Sequence, residues 1–158
     1  MTQDMTGARP LPEETPLTAR FWRAARGRRL VIQRCSACDR LRWPPELACY
    51  ECGSLEHEWA QMSGRATLYT WTIAHPPLLP YFQPRSPWPI AVVQLEEGPR
   101  LVTNITGTDP DQYVIGMPLE AAFEDIGDGV TLVVFKRSGE STVGAQGLAP
   151  LRARHPDE

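Results

Sequence analysis

The sequence predicts a mainly β protein, in which one short N-terminal helix and a metal-stapled ribbon precede a five-stranded barrel. Three observations carry this expectation. All four cysteines fall in two CxxC pairs, Cys35/Cys38 and Cys49/Cys52, with ten residues between them. The 73 residues from Arg65 to Arg137 hold five short runs rich in Thr, aromatic and β-branched residues, separated by Gly and Pro turns. The 158-residue chain contains 16 prolines, which disfavour long helices, and its length suits one ordinary domain or two small ones.

In chain order, residues 1–17 contain Pro10, Pro12 and Pro16 and few apolar groups, and read as a flexible or draped arm. Thr18 is placed to cap a helix over Ala19–Arg26, and Gly27 sits where a C-terminal stop is expected. Phe21, Trp22 and Ala25 share its apolar face, with Arg20, Arg23 and Arg26 on the others. Leu30–Arg34 reads as a strand leading into Cys35, so the helix and ribbon together span residues 18–62. The barrel follows over residues 63–138, with strands expected at 65–75, 89–97, 100–107, 118–125 and 130–137. Closure hides sheet edges that a short chain leaves exposed. A five-stranded OB-fold accounts for this pattern best, with an SH3-like barrel as the alternative. Residues 139–158 are rich in Gly, Ala and Ser and then Arg, and read as a mobile tail.

Each CxxC is a tight turn presenting two thiolates to one point, and two such turns supply four sulfurs in tetrahedral directions. Asp39 and Gly53 follow the two pairs, and both residue types tolerate the positive φ such turns need. Structural zinc, one Zn2+ per chain, is the leading reading, because four thiolates leave no open coordination position. Iron in the same geometry, and disulfides or a redox pair, are the alternatives. A block of about 40 residues buries too little core to stand alone, so a metal replaces one. Trp43 and Leu47 are expected to cover the site, and His57 reads as a surface residue.

Two stretches offer binding surfaces. The segment from His75 to Pro89 holds six prolines together with Leu78, Leu79, Tyr81, Phe82 and Trp88, and Arg85 is its one charge. An apolar, stiffened loop either packs on its own fold or presents a surface that loses little entropy on binding. Arg20, Arg23, Arg26, Arg28, Arg29 and Arg34 fall within 15 residues with no acid among them. They read as a solvated face, or as contacts to an acidic partner surface or to the phosphates of a coenzyme A thioester.

Charge excludes other classes. The chain is −3 overall; residues 20–64 carry eight basic and five acidic residues, and residues 65–137 carry five basic and eight acidic. An acidic barrel lacks the basic groove that single-stranded nucleic acid requires, so a nucleic-acid-binding ribbon–barrel module is only an alternative. No run of 18 apolar residues exists to cross a membrane, and the N-terminus lacks the apolar core of a secretory signal, which together predict a cytoplasmic protein. No nucleophile elbow, phosphate loop or HExxH is present, and no catalytic residue is assigned; His75 is the one acid–base candidate.

The ordered motifs Phe21-Trp22, Gly27-x-x-Leu30, Gln33-Arg34-Cys35-x-x-Cys38, Pro44-Pro45, Cys49-x-x-Cys52, Trp59, Ser63-Gly64, Tyr69-Thr70-x-Thr72-x-x-His75, Gly98-Pro99, Ile115-Gly116-Met117-Pro118 and Phe123-Glu124 resemble a known family. It comprises acyl-CoA-associated OB-fold proteins with a rubredoxin-like zinc ribbon, and the resemblance covers about residues 18–137. It implies that Cys35, Cys38, Cys49 and Cys52 hold zinc. It also implies a non-catalytic accessory subunit in a hetero-oligomer with a thiolase-like or lipid-transfer-protein-like enzyme. That enzyme forms or cleaves C–C bonds beside a thioester, sterol and lipid side chains among its substrates, and acyl-CoA is a shared ligand. A MaoC-like enoyl-CoA hydratase is the alternative partner. The expected contact residues are Phe21, Trp22, Arg23, Arg26, Leu78, Leu79, Tyr81, Phe82 and Trp88. Asp39 departs from the family, which has Gly there in many members.

Overall fold

The computed structural model describes residues 7–139; the expected tail beyond them and residues 1–6 lie outside the described residues. The element order is α1 (Ala19–Arg26), β1 (Val31–Cys35), β2 (Leu41–Arg42), β3 (His57–Gln61), β4 (Arg65–Ala74), β5 (Trp88–Leu95), β6 (Arg100–Thr103), β7 (Ile105–Thr106), β8 (Pro118–Asp125) and β9 (Thr131–Arg137). The helix has its expected bounds, but its ends are built differently. Thr18 makes no side-chain cap to the helix; its hydroxyl accepts from Thr15 N–H at 3.0 Å. Gly27 keeps a negative φ, and the left-handed residue is Arg28, at φ 56. The chain turns there through Arg28 N–H to Ala25 O and Arg29 N–H to Ala24 O, each 2.9 Å, which satisfies carbonyls the helix leaves open.

β2, β1 and β3 form a three-stranded antiparallel sheet, the ribbon. β2 and β3 are the part the sequence did not show: they are short, or half-exposed, so neither alternates cleanly. The second sheet runs β6-β5-β4-β8-β9-β7. β6 and β7 are one expected strand, interrupted at Asn104. Its first half pairs antiparallel with β5 and its second half parallel with β9, so the single segment joins the two ends of the sheet and closes the barrel. Asn104 makes the crossing possible. Its side-chain amide donates to Pro89 O at 2.7 Å on one side, and its carbonyl accepts from Phe135 N–H at 3.0 Å on the other.

The barrel interior follows the pleat. β5 alternates strictly, burying Pro89, Ala91, Val93 and Leu95, and Leu68, Leu101, Ile105, Leu119 and Phe135 meet them. Phe21, Leu30, Ile32 and Met62 belong to the same buried cluster, so helix, ribbon and barrel share one core. Ser63-Gly64 joins ribbon to barrel. Gly64 has φ 82, which favours glycine, and a Cβ there would press on Ala121 Cβ at 3.3 Å. No helix among the described residues is long and apolar enough to cross a membrane.

Candidate metal centre and docking surfaces

The two knuckles are built alike. Cys35 N–H donates to Arg40 O at 2.9 Å and Asp39 N–H to Cys35 O at 3.0 Å. Cys49 N–H donates to Ser54 O at 2.8 Å and Gly53 N–H to Cys49 O at 2.8 Å. Each loop thus folds back on its first cysteine, which is buried, and presents its second, which is exposed. Asp39 and Gly53, the matching residues after each pair, hold φ 60 and φ 75, as expected.

The four sulfurs converge, all within 4.8 Å of one another, with Cys35–Cys52 and Cys38–Cys49 each at 3.6 Å. A tetrahedron with metal–sulfur bonds of about 2.3 Å has edges of about 3.8 Å, so the spacing fits a tetrahedral ion. Three of the thiols are shifted from their ordinary values. Backbone N–H groups of Cys52 and Glu51 lower Cys49 to about 6, and the N–H of Ala37 lowers Cys35. Arg40 N–H favours the Cys38 thiolate, but burial and the neighbouring sulfurs of Cys52, Cys35 and Cys49 outweigh it and push that thiol up to about 12. Thiolates packed this closely repel one another, and a cation among them removes that cost.

Trp43 packs on the core with its ring 4.4 Å from Phe21, and Leu47, expected to shield the sulfurs, is instead 72% exposed. His57 is exposed, its Nδ1 3.2 Å from Leu55 O. His75 is exposed just past the end of β4, and His155 lies outside the described residues.

The Pro-rich segment caps a two-stranded arm. β8 leaves β4 after Thr67, and β6 leaves β5 at Ala91, yet β4 and β5 continue paired to Ala74 and Trp88. At the tip the aromatic rings pack on one another, Tyr81 edge-on to Phe82 and Phe82 tilted against Trp88, each with centroids 5.0 Å apart. The Arg85 guanidinium lies 3.9 Å from the Tyr81 centroid and donates to Tyr81 O at 2.6 Å. The rings are half-buried, and Leu79 is 58% exposed. The loop is therefore both self-packed and partly presented.

The helix face divides. Phe21 is 4% exposed, a core residue, which removes it from the expected contact surface. Trp22 is half-buried against the core. Arg26 pairs with Glu14 at 3.0 Å, Arg28 with Asp125 at 2.5 Å, and Arg34 with Glu58. Among the described residues Arg20, Arg23 and Arg29 have no ion pair. Residues 7–17 link helix and tip: Gly7 lies against Pro80, Arg9 stacks on Tyr81 at 5.6 Å and pairs with Glu124 at 3.7 Å, and Glu14 meets Arg26.

Sequence reasoning missed two features. One is the exposure of several apolar side chains of the barrel region, Tyr69, Val102, Val114 and Ile115. The other is an open cleft of about 510 Å3 between the first knuckle (Cys38, Asp39, Arg40), Tyr50 and the Glu97-Gly98-Pro99 turn. Neither has a sequence signal: exposure is set by the fold, and the cleft is assembled from residues distant along the chain.

Fold and site together define a rubredoxin-like zinc ribbon joined to an OB-fold barrel. More particularly, residues 22–58 match the ChsH2 rubredoxin-like zinc ribbon domain and residues 59–124 the ChsH2 C-terminal OB-fold domain. The chain belongs to this ChsH2 (DUF35) family. It is 33% identical over 127 residues to a DUF35 domain-containing scaffold protein of Methanocaldococcus jannaschii, covering 76% of this chain and 89% of that protein. It is 41% identical over 128 residues to a probable enoyl-CoA hydratase alpha subunit of Thermomonospora curvata, covering 81% of this chain and 40% of the relative. With the 3-oxo-4,17-pregnadiene-20-carboxyl-CoA hydratase alpha subunit of Mycobacterium tuberculosis the identity is 36%, over 74% and 37%. The chain thus spans about two fifths of the length of these hydratase subunits. A chain of the solved Ltp2-ChsH2(DUF35) aldolase superposes with a TM-score of 0.73 at 40% identity, covering 81% of this chain and 99% of that one.

Proposed function

We propose that this protein is a non-catalytic accessory subunit that binds and supports a thiolase-like acyl-CoA enzyme in a hetero-oligomer. Its partner's reaction is C–C bond formation or cleavage next to a thioester. The observation that carries the reading is the 40% identity to the Ltp2-ChsH2(DUF35) aldolase chain along nearly its whole length. The scaffold naming of the M. jannaschii relative supports it. In this reading Cys35, Cys38, Cys49 and Cys52 hold one structural zinc with a closed coordination sphere, which supplies rigidity and no chemistry. The helix and ribbon (18–62) and the barrel (63–138) are its two structural units.

Docking falls to Leu78, Leu79, Tyr81, Phe82 and Trp88 at the arm tip, with Trp22, Arg23 and Arg26 of α1 alongside. A tip stiffened by proline and already packed rings loses little entropy on binding, and acyl-CoA is a ligand shared with the partner. The steroid-type substrate in the name of the M. tuberculosis relative makes sterol or lipid side chains the favoured acyl groups. A second reading, partnership with a MaoC-like enoyl-CoA hydratase, is favoured by the 41% identity to the T. curvata subunit.

Co-expression with each candidate enzyme, followed by size-exclusion chromatography and activity assay, tests both readings. A stable complex that raises the activity of the thiolase-like enzyme is expected. A complex with the hydratase alone selects the second reading, and no complex with either, with both enzymes fully active alone, rejects the subunit role.

A further inference from the structure

Arg42 is wholly buried, 1% exposed, although it carries a full charge. Its sequence neighbours Leu41 and Trp43 pack against the main core, so the pleat turns Arg42 to the opposite face of the ribbon. Gln33 of β1 stands directly across from it, and Cys35 lies two residues further along β1 on the same face. Strand geometry puts the Cα atoms of Arg42 and Cys35 roughly 8 Å apart. The chain entering the second knuckle closes over this face: Glu46 N–H donates to Gln33 Oε1 at 3.0 Å, and Pro45 and Cys49 are buried. Arg42 therefore shares the ribbon's interior with the two buried cysteines.

Its environment is incomplete. Nε donates to the same Gln33 Oε1 at 2.8 Å, but both terminal amino groups and the Gln33 amide nitrogen are buried without a hydrogen-bond partner. No carboxylate among the described residues forms an ion pair with it. An isolated buried cation is strongly disfavoured. The metal centre has the converse deficit, since four thiolates around one dication carry a net double negative charge. The cations nearest the first knuckle in sequence, Arg34 and Arg40, are engaged at the surface by Glu58 and Glu51.

We infer that Arg42 is the buried counter-cation of the metal centre. Its guanidinium, held by Gln33, offsets part of the tetrathiolate charge across the ribbon's interior without hydrogen-bonding a sulfur. The inference rests on the metal reading of the four cysteines, and assigns a non-cysteine residue a part in metal affinity and in the balance between metal oxidation states. Net charge near a cysteine-ligated iron sets its reduction potential, so iron serves as the probe.

The full-length protein is loaded with zinc or with iron, as wild type and as three variants. Arg42→Met removes the charge at similar volume, and Arg42→Lys keeps it. Gln33→Glu retains both acceptor contacts and places a carboxylate against the guanidinium. Arg42→Met and Gln33→Glu are each expected to lower the iron potential by the equivalent of about tenfold in the equilibrium, about 59 mV for one electron. Each is also expected to raise the zinc dissociation constant by a similar factor, with Arg42→Lys close to wild type. Should Arg42→Met fail to fold, Gln33→Glu reads the same electrostatics. Metal retained with an unchanged potential in Gln33→Glu overturns the inference alone, whereas wild-type protein that holds no metal overturns the metal reading and the inference with it.

Discussion

Asp39 and Gly53 occupy equivalent places, one residue after the second cysteine of each knuckle, and both hold left-handed backbone, at φ 60 and φ 75. Only glycine adopts that conformation without cost, and Asp is among the few other residues that tolerate it. Asp39→Gly is therefore expected to stabilise the protein by up to about 1 kcal/mol, and Gly53→Val to destabilise it by about 1–2 kcal/mol. Chemical denaturation of the metal-loaded protein measures both. Equal effects of opposite substitutions at the two sites would break the equivalence.

Metal removal is expected to reach beyond the ribbon. Phe21, Leu30, Ile32 and Met62 share one buried cluster with the barrel residues Leu68, Val93 and Phe135. Chelation, or Cys49→Ser, should release about one zinc per chain and lower the melting temperature of the whole fold. Elemental analysis and calorimetry read this; an unchanged melting transition in chelated, metal-free protein contradicts it.

Acid should loosen the junction between ribbon and barrel. Burial raises the Glu97 carboxyl, but the Ser63 N–H, which donates to it at 2.6 Å, and its own N–H outweigh that and hold it below its ordinary value. A hydrogen bond from Thr131, with Arg28 beside it, holds Asp125 low against its partial desolvation. A depressed carboxyl contributes stability above its unfolded value and loses it as pH falls through the folded one. Stability should thus be flat near neutrality and decline below about pH 4.5, the ordinary carboxylate range. In Glu97→Gln this acid-side decline should be shallower.

On the alkaline side Tyr113 contributes. Burial, with a smaller contribution from Asp109, pushes Tyr113 up to about 12, while its hydroxyl lies 3.4 Å from Ile105 O and its ring 5.9 Å from Trp71. The unfolded chain ionises first, near pH 10, so stability should fall as pH rises from about 10 to 12. Tyr113→Phe should flatten that limb in pH-dependent denaturation, and an unchanged slope would assign it elsewhere.

The proposed docking at the arm tip separates surface from core. Leu79→Glu should weaken complex formation at least tenfold while leaving melting within a few degrees, because the side chain is exposed. Phe21→Ala, by contrast, should cost roughly 3–5 kcal/mol of fold stability, since its ring is buried against Trp43. The Arg23→Ala/Arg26→Ala pair should weaken binding mainly at low salt. Binding unaffected by Leu79→Glu removes the tip from the interface.

Local spacing made the knuckles legible: a CxxC turn closes on itself, and its two ligands and following left-handed residue are set within five residues. The helix bounds and four of the five barrel strands were readable for the same reason, since periodicity acts within one element. Interruption of the remaining strand at Asn104 was not readable, because the break exists only where β5 and β9 compete for opposite sides of one segment.

By itself the sequence determined the order of helix, ribbon and barrel, the four sulfurs and the apolar, proline-stiffened loop. These depend on residue type and near-neighbour spacing alone. Only the tertiary structure decided that Phe21 is core and not contact, that Arg28 and not Gly27 turns the chain, that Leu47 is exposed, and that Arg42 is buried against Gln33. Burial and charge pairing are set by what the rest of the chain brings alongside, and a charged residue between Leu41 and Trp43 carries no mark of which side will be covered.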